Sequence, residues 1–274
     1  MFRTLDLSDV SFLSKTNLWT PTELGADLAL WLDAADTDTI TLSGSNVSQW
    51  DDKSGNNRHA SQAIAADQPI YTSNVLNGKP GVTFDGSTDF LTVAHDNALN
   101  AQIAPSSVVI LYRERVSGFR LMQKAPSGTG ASADAFFSSS SSVLGAAGTF
   151  TTSYPFWQNV WQFDVGTFSG NVIRHWRNGT KLVPTNVTGG SIVNGELVSS
   201  STPATNSDPL FIGKRDNPSS TEGHMNGELL ETLILTSALS TDDRQKLEGY
   251  LAWKWGLVSN LPVDHPYKTK PPTV

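Results

Sequence analysis

Residues 82–93 read VTFDGSTDFLTV, and this stretch decides the fold class. Val82 and Phe84 alternate with polar residues before the pair Asp85-Gly86, and a second apolar run follows from Phe90 to Val93. An Asp-Gly pair tolerates the positive φ angles of a type I′ turn, so apolar residues on both sides of it predict a β-hairpin. The stretch therefore indicates antiparallel β-structure.

The same turn chemistry recurs along the whole chain. Asn-Gly pairs occur at residues 77–78, 178–179, 194–195 and 226–227. Apolar or alternating runs that predict strands lie near them, at residues 108–112, 161–165, 172–176, 210–212 and 229–235. Many short strands joined by regular turns predict an all-β fold, an antiparallel two-sheet β-sandwich or jelly roll.

One short C-terminal helix is predicted over residues 240–256. Ser240 is an N-cap residue with Asp243 three positions later, an arrangement close to a capping box. Leu247 and Leu251 then follow at helical spacing, and Gly256 is a natural stop. We expect this helix to pack beside the sandwich as a lid on one end of a sheet.

The two ends of the chain differ from its middle. Residues 258–274 carry four prolines and predict an extended, polyproline-like tail. Residues 1–24 form an arm, which we expect to anchor the protein because its scattered apolar side chains have to be buried somewhere. We assign residues 25–274 to one sandwich domain that includes the helix and the tail. The arm's apolar residues are Phe2, Leu5, Val10, Phe12 and Trp19.

Composition excludes several functional classes. The chain of 274 residues has no cysteine, which excludes disulfides and thiolate metal sites. A formal net charge of −7 without a Lys/Arg cluster argues against nucleic acid and against an anionic membrane as partners. The N-terminus has no continuous hydrophobic segment, so no classical signal peptide is predicted. We expect a location outside the cell or on a virion, reached by another route such as lysis.

Four segments occur in an ordered series. They are Leu30–Ala34 with Gln49–Ala60, Asn77–Leu91, Trp176–Gly179, and Gly227–Leu257 with Leu261-Pro262 and His265–Tyr267. Together they resemble the laminin-G-like, concanavalin A-like lectin and glucanase domains of phage structural and bacterial surface proteins. The resemblance covers residues 25–270 and implies a sandwich of the jelly-roll kind. It implies a module that binds glycans or proteins, although the same fold also supports glycosidases.

Aromatic residues in loops are candidate glycan contacts, because the C–H faces of pyranose rings lie flat on aromatic rings. Trp31, Trp161, Trp176 and Trp253 lie on predicted strands or the helix, so we expect them in the core. The other aromatic residues, which lie in loop-like settings, predict a contact patch for a glycan or a partner protein. Packing against a neighbouring loop or subunit explains the same residues equally well. The patch consists of Tyr154, Phe156 and Trp157, with Tyr71 as a further candidate.

Side-chain oxygens in two loops resemble the ligands that calcium prefers. Asp52 and Asn56, together with Asp85 or Asp89, could form such a site at a sheet edge. The spacing does not match an EF-hand loop. Asp52 is better explained as the acceptor of an Asx-turn, and Asp85 and Asp89 as turn-forming carboxylates. No other cofactor is expected.

Catalytic spacing is absent from the sequence. The five histidines are dispersed, and neither a metal-binding spacing nor a nucleophile motif occurs. Glu228 and Glu231 are three residues apart on a predicted strand. Residues three apart point to opposite faces, so we expect that these two cannot form the close carboxylate pair of a retaining glycosidase.

The sequence therefore predicts a non-enzymatic, lectin-like adhesion module on a phage virion, in contact with glycan or a neighbouring coat protein. The alternative is a capsid decoration or cement protein with no glycan ligand. A polysaccharide-degrading enzyme is a third, weaker reading. The expected partners are capsid or tail neighbours reached through the arm, or a surface polysaccharide. We also expect a homo-oligomer or a place in a larger assembly.

Overall fold

The structure is a computed structural model that describes residues 17–100, 105–116, 120–124, 135–138, 157–184, 190–200, 207–214 and 223–274. These residues form seventeen strands and one α-helix, α1 (Thr241–Trp255). The all-β prediction with one C-terminal helix is confirmed. The strands are β1 (Leu28–Asp33), β2 (Ile40–Ser43), β3 (Asn46–Trp50), β4 (Ala60–Ser61), β5 (Ile70–Leu76), β6 (Lys79–Asp85), β7 (Leu91–Val93), β8 (Ser106–Glu114), β9 (Arg120–Gln123), β10 (Ala135–Ser138), β11 (Gln162–Ser169), β12 (Val172–Arg177), β13 (Thr180–Leu182), β14 (Gly190–Val193), β15 (Glu196–Ser199), β16 (Leu210–Ile212) and β17 (Asn226–Leu235).

The first sheet is built around β17. One edge of β17 pairs with β8, and its other edge pairs first with β6 and then with β1. The sheet continues from β8 through β11 to β12, which pairs with β13 and β15. β5 extends it beyond β6, and β14 extends it beyond β15. All of these pairings are antiparallel.

The second sheet contains β2, β3, β4, β7, β16, β9 and β10, paired in that order. A single pair, Asn46 with Ile70, connects it to the first sheet at one edge. The two sheets face each other as the predicted antiparallel sandwich.

Side-chain alternation along β8 shows how the layers are organised. Val108 and Ile110 point into the core between the two sheets, where Trp50 and Phe84 are also fully buried. Val109, Leu111 and their neighbours on β11 and β17 point the other way, into a second core. Because both faces of β8 are apolar and buried, the first sheet is the middle of three layers.

The helix forms part of the third layer. Ser240 accepts a hydrogen bond from the backbone N–H of Asp243, and Gly256 ends the helix in the left-handed conformation, as the capping pattern predicts. Leu247, Leu251 and Trp255 pack on side chains from several strands of the first sheet. The helix therefore covers the outer face of this sheet, and the prediction of a lid on a sheet end is wrong. In the part of the chain that is described, no helix is long and apolar enough to cross a membrane.

Three of the five predicted hairpins are confirmed. The Asn-Gly pairs at 77–78, 178–179 and 194–195 have positive φ at both positions and join β5 to β6, β12 to β13 and β14 to β15. Asp85-Gly86 is not a hairpin turn, because β6 pairs with β17 whereas β7 pairs with β16. It begins a crossover between the two sheets.

The fifth pair, Asn226-Gly227, also makes no turn, because both residues lie inside β17. Gly227 is needed there for close packing rather than for a turn. A Cβ atom on this residue would overlap the backbone carbonyl oxygen of Arg113 on β8. The sequence shows the glycine but not the strand that lies against it.

Candidate functional site

A polar groove lies on the outer face of the first sheet, beside the start of α1, and encloses a volume of about 510 Å³. We call it the sheet groove. One side consists of Thr167 and Ser169 on β11, Arg174 and Trp176 on β12, Lys181 on β13 and Glu196 on β15. Ala238, Leu239, Thr241 and Arg244 line the other side. The helix leaves this part of the sheet face open.

Strand geometry puts these side chains on one face. Ile173, His175 and Arg177 of β12 are buried, whereas Arg174 and Trp176 point outward and are half-buried. The type I′ turn at Asn178-Gly179 fixes the register of the hairpin. It sets Lys181 directly opposite Trp176.

One carboxylate and two cations form the polar side of the sheet groove. Arg174 donates two hydrogen bonds to Glu196, from Nε to Oε1 at 2.7 Å and from Nη2 to Oε2 at 2.9 Å. Lys181 Nζ donates to Glu196 Oε1 at 3.0 Å. The hydrogen bonds from Arg174 and Lys181 lower the pKa of Glu196 to about 2. This carboxylate therefore stays ionised at any physiological pH.

Trp176 and Arg244 form the junction between the sheet and the helix. The guanidinium carbon of Arg244 lies 4.5 Å from the centroid of the Trp176 ring, within the range of a cation–π contact. Arg244 Nη1 also donates to both oxygens of Glu248 at 2.6 Å. Glu248 lies 3.1 Å from Nε2 of His265 in the C-terminal tail. These buried partners hold the Arg244 side chain in place against the indole.

A second cavity, of about 410 Å³, lies near the C-terminal end of α1. We call it the aromatic pocket. Trp19, Tyr250 and Trp253 line it, together with Pro271 and Pro272 of the tail. Its lining is almost entirely apolar, and Lys79 and Lys254 are its charged residues. It offers few groups that could bind the hydroxyls of a saccharide.

The predicted aromatic contact patch is described only in part. Tyr154 and Phe156 lie outside the described residues. Trp157 has 39% of its surface exposed, and the guanidinium carbon of Arg177 lies 5.4 Å from its ring centroid. Tyr71 is half-buried against the core between the sheets, and its hydroxyl donates to the carbonyl oxygen of Ala34 at 2.8 Å. The contact role of all four residues stays a prediction.

The tryptophans expected in the core are not all buried. Trp31 is buried, whereas Trp161 and Trp176 are half-buried. The expectation is wrong for Trp253, which is 39% exposed although it lies on the helix. Its indole N–H donates to the carbonyl oxygen of Tyr267 in the tail, so the tail holds the ring at the protein surface.

Asp52 has the hydrogen bonds of a turn residue. Its Oδ1 accepts from the N–H of Trp31 at 3.0 Å and of Ser54 at 2.9 Å. Its Oδ2 accepts from the Ser54 hydroxyl at 2.8 Å and the Arg58 N–H at 3.0 Å. Asn56 donates to the carbonyl oxygen of Leu28 at 2.9 Å. Both carboxylate oxygens thus face N–H and O–H donors, an arrangement that fits the Asx-turn better than a cation.

Asp85 and Asp89 show the same pattern in the crossover. Partial burial raises the pKa of Asp85. Hydrogen bonds from Ser87, Thr88 and Asp89 outweigh this effect and hold that pKa well below its usual range. Burial and the nearby charge of Asp85 raise the pKa of Asp89 to about 6. In the described ranges, no group of three or more His, Cys, Asp or Glu side chains is placed to hold a metal ion.

Within the predicted arm, only the last residues are described. Phe2, Leu5, Val10 and Phe12 lie outside the described residues. Trp19 is 4% exposed and belongs to the second core. Its backbone N–H donates to the carbonyl oxygen of Pro272 at 3.0 Å, and Leu18 forms a β-bridge with Thr273. Trp19 therefore stabilises this domain itself, and anchoring by the rest of the arm stays a prediction.

The structure corrects the argument about Glu228 and Glu231. The register of β17 shifts between Leu229 and Glu231, so one extra residue interrupts the alternation. Glu228 contacts Arg113, and Glu231 contacts Trp31, both on the outer side of the first sheet. The two glutamates thus share a face. Neither lines the sheet groove, and both are buried against cationic or hydrogen-bonding partners.

Sequence reasoning missed most of the residues of the sheet groove. The strand pattern predicts Trp176 in the core, and the sequence does not mark Arg174, Lys181, Glu196 or Arg244 as site residues. The alternation of residues 172, 174 and 176 and the register of the Asn178-Gly179 turn could have placed Trp176 and Lys181 side by side. The approach of β15 and the helix could not be derived, because those contacts join residues far apart in the chain.

Comparisons with known proteins support the fold. No protein-family model matches the sequence, and no curated protein matches it either. Among solved structures, domain 4 of AbnA, a GH43 extracellular arabinanase from Geobacillus stearothermophilus in complex with arabinotriose, is similar, with 10% identity and a TM-score of 0.51. That match covers 81% of this chain and 98% of the domain.

Two further solved structures share the fold. The Trypanosoma rangeli sialidase in complex with sialic acid is 14% identical, with a TM-score of 0.56 over 84% of this chain. The match spans 33% of the sialidase. The binding domain of Paraclostridial Mosquitocidal Protein 1 is 11% identical, with a TM-score of 0.55 over 81% of this chain and 52% of that one. At these identities the likeness shows the β-sandwich fold alone.

Proposed function

We propose that this protein is a non-enzymatic carbohydrate-binding module that holds a saccharide in the sheet groove. The observation that carries the proposal is the composition of that groove. It combines the half-buried indole of Trp176 with hydroxyl, guanidinium, ammonium and carboxylate groups. A saccharide offers apolar C–H faces beside hydroxyls that both donate and accept hydrogen bonds. A concave site with few, convergent polar groups suits such a ligand.

The fold supports this proposal in general terms. The arabinanase domain was solved with arabinotriose and the sialidase with sialic acid, so sandwich domains of this kind occur in proteins that handle saccharides. The binding domain of the mosquitocidal protein has the same fold. These likenesses make a saccharide the first class of ligand to test in the sheet groove.

The chemistry of the sheet groove favours binding over hydrolysis. A glycosidase of the common kind needs two carboxyl groups, one of them with a raised pKa so that it can act as an acid. Among the described lining residues, Glu196 is the one carboxylate, and its pKa is lowered. We therefore propose that the module binds its saccharide without cleaving it.

The biological setting is a separate proposal, supported by the sequence resemblance and by the apolar residues of the arm. We propose that the module acts on a virion surface or outside the cell, within a larger assembly or a homo-oligomer. The arm would attach it to a neighbouring capsid or tail protein. Deleting residues 1–16 tests this attachment and keeps Trp19 in place. Assembly with the partner should be lost, and assembly that persists would contradict the role of the arm.

Three tryptophan variants locate the saccharide site. The purified protein is first screened against an array of bacterial and plant polysaccharides, and binding is then measured by calorimetry. Trp176→Ala should weaken binding by about tenfold or more, the loss expected for a central aromatic anchor. Trp253→Ala in the aromatic pocket and Trp157→Ala in the predicted contact patch are matched controls that should leave affinity unchanged.

The outcomes separate the candidate surfaces. If Trp157→Ala is the one variant that loses binding, the saccharide site lies in the predicted contact patch. Binding to no polysaccharide on the array would contradict the proposal and favour a decoration or cement protein without a glycan ligand. Arg174→Gln serves as a second sheet-groove variant, because Trp176 also packs on the second core. Release of reducing sugar from a bound polysaccharide would contradict the non-enzymatic assignment.

We propose that binding needs no cofactor, because the groups of the sheet groove can bind hydroxyls directly. Calcium at Asp52 and Asn56 with Asp85 or Asp89 is the alternative. An ion that binds only the folded protein must raise the melting temperature. We expect equal melting temperatures in calcium and in chelator, and a rise with calcium would establish the site.

A further inference from the structure

We infer that the sheet groove selects acidic saccharides, those with carboxylate or sulfate groups, over neutral ones. The inference rests on the proposed function and adds the class of ligand to it. It comes from the balance of hydrogen-bond donors and acceptors among the charged side chains of the groove.

Counting hydrogen bonds among the described residues only, the two cations beside Glu196 have unused donors. A guanidinium has five N–H donors and an ammonium has three. In the structure, Arg174 directs two of its donors to Glu196, and Lys181 directs one. Three donors of Arg174 and two of Lys181 therefore remain for a ligand. The two oxygens of Glu196 already accept these three bonds, so the groove offers more donors than acceptors.

The exposure of the charged side chains adds to the excess of donors over acceptors in the groove. The side chains of Lys181 and Arg174 are 40% and 33% exposed, whereas that of Glu196 is 24% exposed. The two cations are therefore more accessible to a ligand than the carboxylate is. A negatively charged substituent gains charge-assisted hydrogen bonds there, which are stronger than those a neutral hydroxyl can make.

The charge of the groove is opposite to that of the protein. Arg174, Lys181 and Arg244 line it against a single carboxylate, Glu196, and Glu248 neutralises Arg244 from behind. One positive charge remains in excess. The chain as a whole carries a formal charge of −7. A local cationic site on an acidic protein makes the groove a place where an anionic group is stabilised.

The test compares one saccharide with and without its charges. Oligogalacturonate and its fully methyl-esterified form share the same sugar skeleton, so their affinities differ through the carboxylates. Calorimetry on the full chain should show that the acid form binds at least about fivefold more tightly, and that this preference shrinks as salt is added. Lys181→Gln should weaken binding of the acid form by about fivefold and leave the ester unchanged.

Lys246→Gln is the matched control, because Lys246 is a lysine on α1 that does not line the sheet groove. It changes the net charge by the same amount and should leave both affinities unchanged. Equal binding of acid and ester, with loss of both in Trp176→Ala, would overturn the acidic preference and leave carbohydrate binding intact. An acid preference that Lys246→Gln reduces as much as Lys181→Gln would assign the preference to overall charge and overturn the site. If neither form binds and the array is also silent, both proposals fail.

Discussion

Glu114 shows how a single residue can set the pH dependence of this protein. It is fully buried two positions after Tyr112, on the inner face of the first sheet. Within the part of the chain that the structure describes, neither of its carboxylate oxygens has a hydrogen-bond partner. Burial and the nearby charge of Asp164 raise the pKa of Glu114 well above its usual range, although Arg177 opposes this. This carboxyl therefore keeps its proton to a higher pH in the folded protein than in the unfolded chain.

We expect Glu114→Gln to stabilise the protein at neutral pH. Above the ordinary glutamate pKa, the unfolded chain loses this proton while the folded chain keeps it, so the stabilising contribution of the raised pKa is lost as pH rises. The difference between variant and wild type should grow by up to about 1.4 kcal/mol per pH unit until the raised pKa is reached. Denaturant unfolding at pH 4–8 measures it.

The exposed residue Glu23 provides the control for this experiment. Glu23→Gln should leave the pH profile of the unfolding free energy unchanged. A parallel profile for Glu114→Gln and wild type across this range would contradict a raised pKa of Glu114.

Close packing at a single position explains Gly227. Because a Cβ atom would overlap a backbone oxygen of β8, we expect Gly227→Ala to cost about 2 kcal/mol or more of unfolding free energy. Gly195→Ala is the comparison, since Gly195 has positive φ in an open turn with no atom near its would-be Cβ. That change should cost about 1 kcal/mol. Chemical denaturation of both variants compares the two losses. A larger loss in Gly195→Ala than in Gly227→Ala would contradict the role given to Gly227.

Glu231 links helix α1 to the first sheet through hydrogen bonds. This buried carboxylate accepts hydrogen bonds from Trp31 Nε1 at 2.8 Å on β1 and from Trp255 Nε1 at 2.7 Å on the helix. The Tyr250 hydroxyl and Lys254 Nζ also donate to it, at 2.9 and 2.8 Å. Burial raises the pKa of Glu231, and Lys254 opposes the rise. The β-bulge in β17 gives this residue its position under the helix.

We expect Glu231→Gln to destabilise the protein by about 3 kcal/mol, because it leaves Lys254 without one of its buried partners. Ser240→Ala on the same helix removes an N-cap and should cost about 1 kcal/mol. Denaturant unfolding followed by tryptophan fluorescence compares the two. Equal losses would show that the helix is held by its apolar contacts, with little contribution from Glu231.

For strands and helices, the sequence shows local turn chemistry more clearly than strand pairing. Asn77-Gly78 and Asn178-Gly179 are correct hairpins because their strands pair with each other. Asp85-Gly86 has the same chemistry, but its flanking strands pair with distant partners, so it joins two sheets instead. The capping residues Ser240 and Gly256 were predictable because helix capping is local.

For the whole molecule, turn chemistry and apolar patterning predict the two-sheet sandwich but neither its third layer nor the functional surface. The apolar run 108–112 predicts a strand, and the structure adds that this strand is buried on both faces and lies in the middle layer. The sheet groove depends on where β15 and the helix approach β12. Arg174, Glu196 and Arg244 come from separate parts of the chain, so no sequence motif marks them. Its place on a strand predicts Trp176 in the core, whereas the structure shows it half-buried in the groove.

The most direct test of a saccharide-binding sheet groove is a crystal structure of the protein with the tightest saccharide found on the array. We predict sugar density in the groove, with a ring against Trp176 and an oxygen within hydrogen-bond distance of Arg174 or Lys181. Density in the aromatic pocket or at Trp157, with the groove holding only water, would contradict the proposed site.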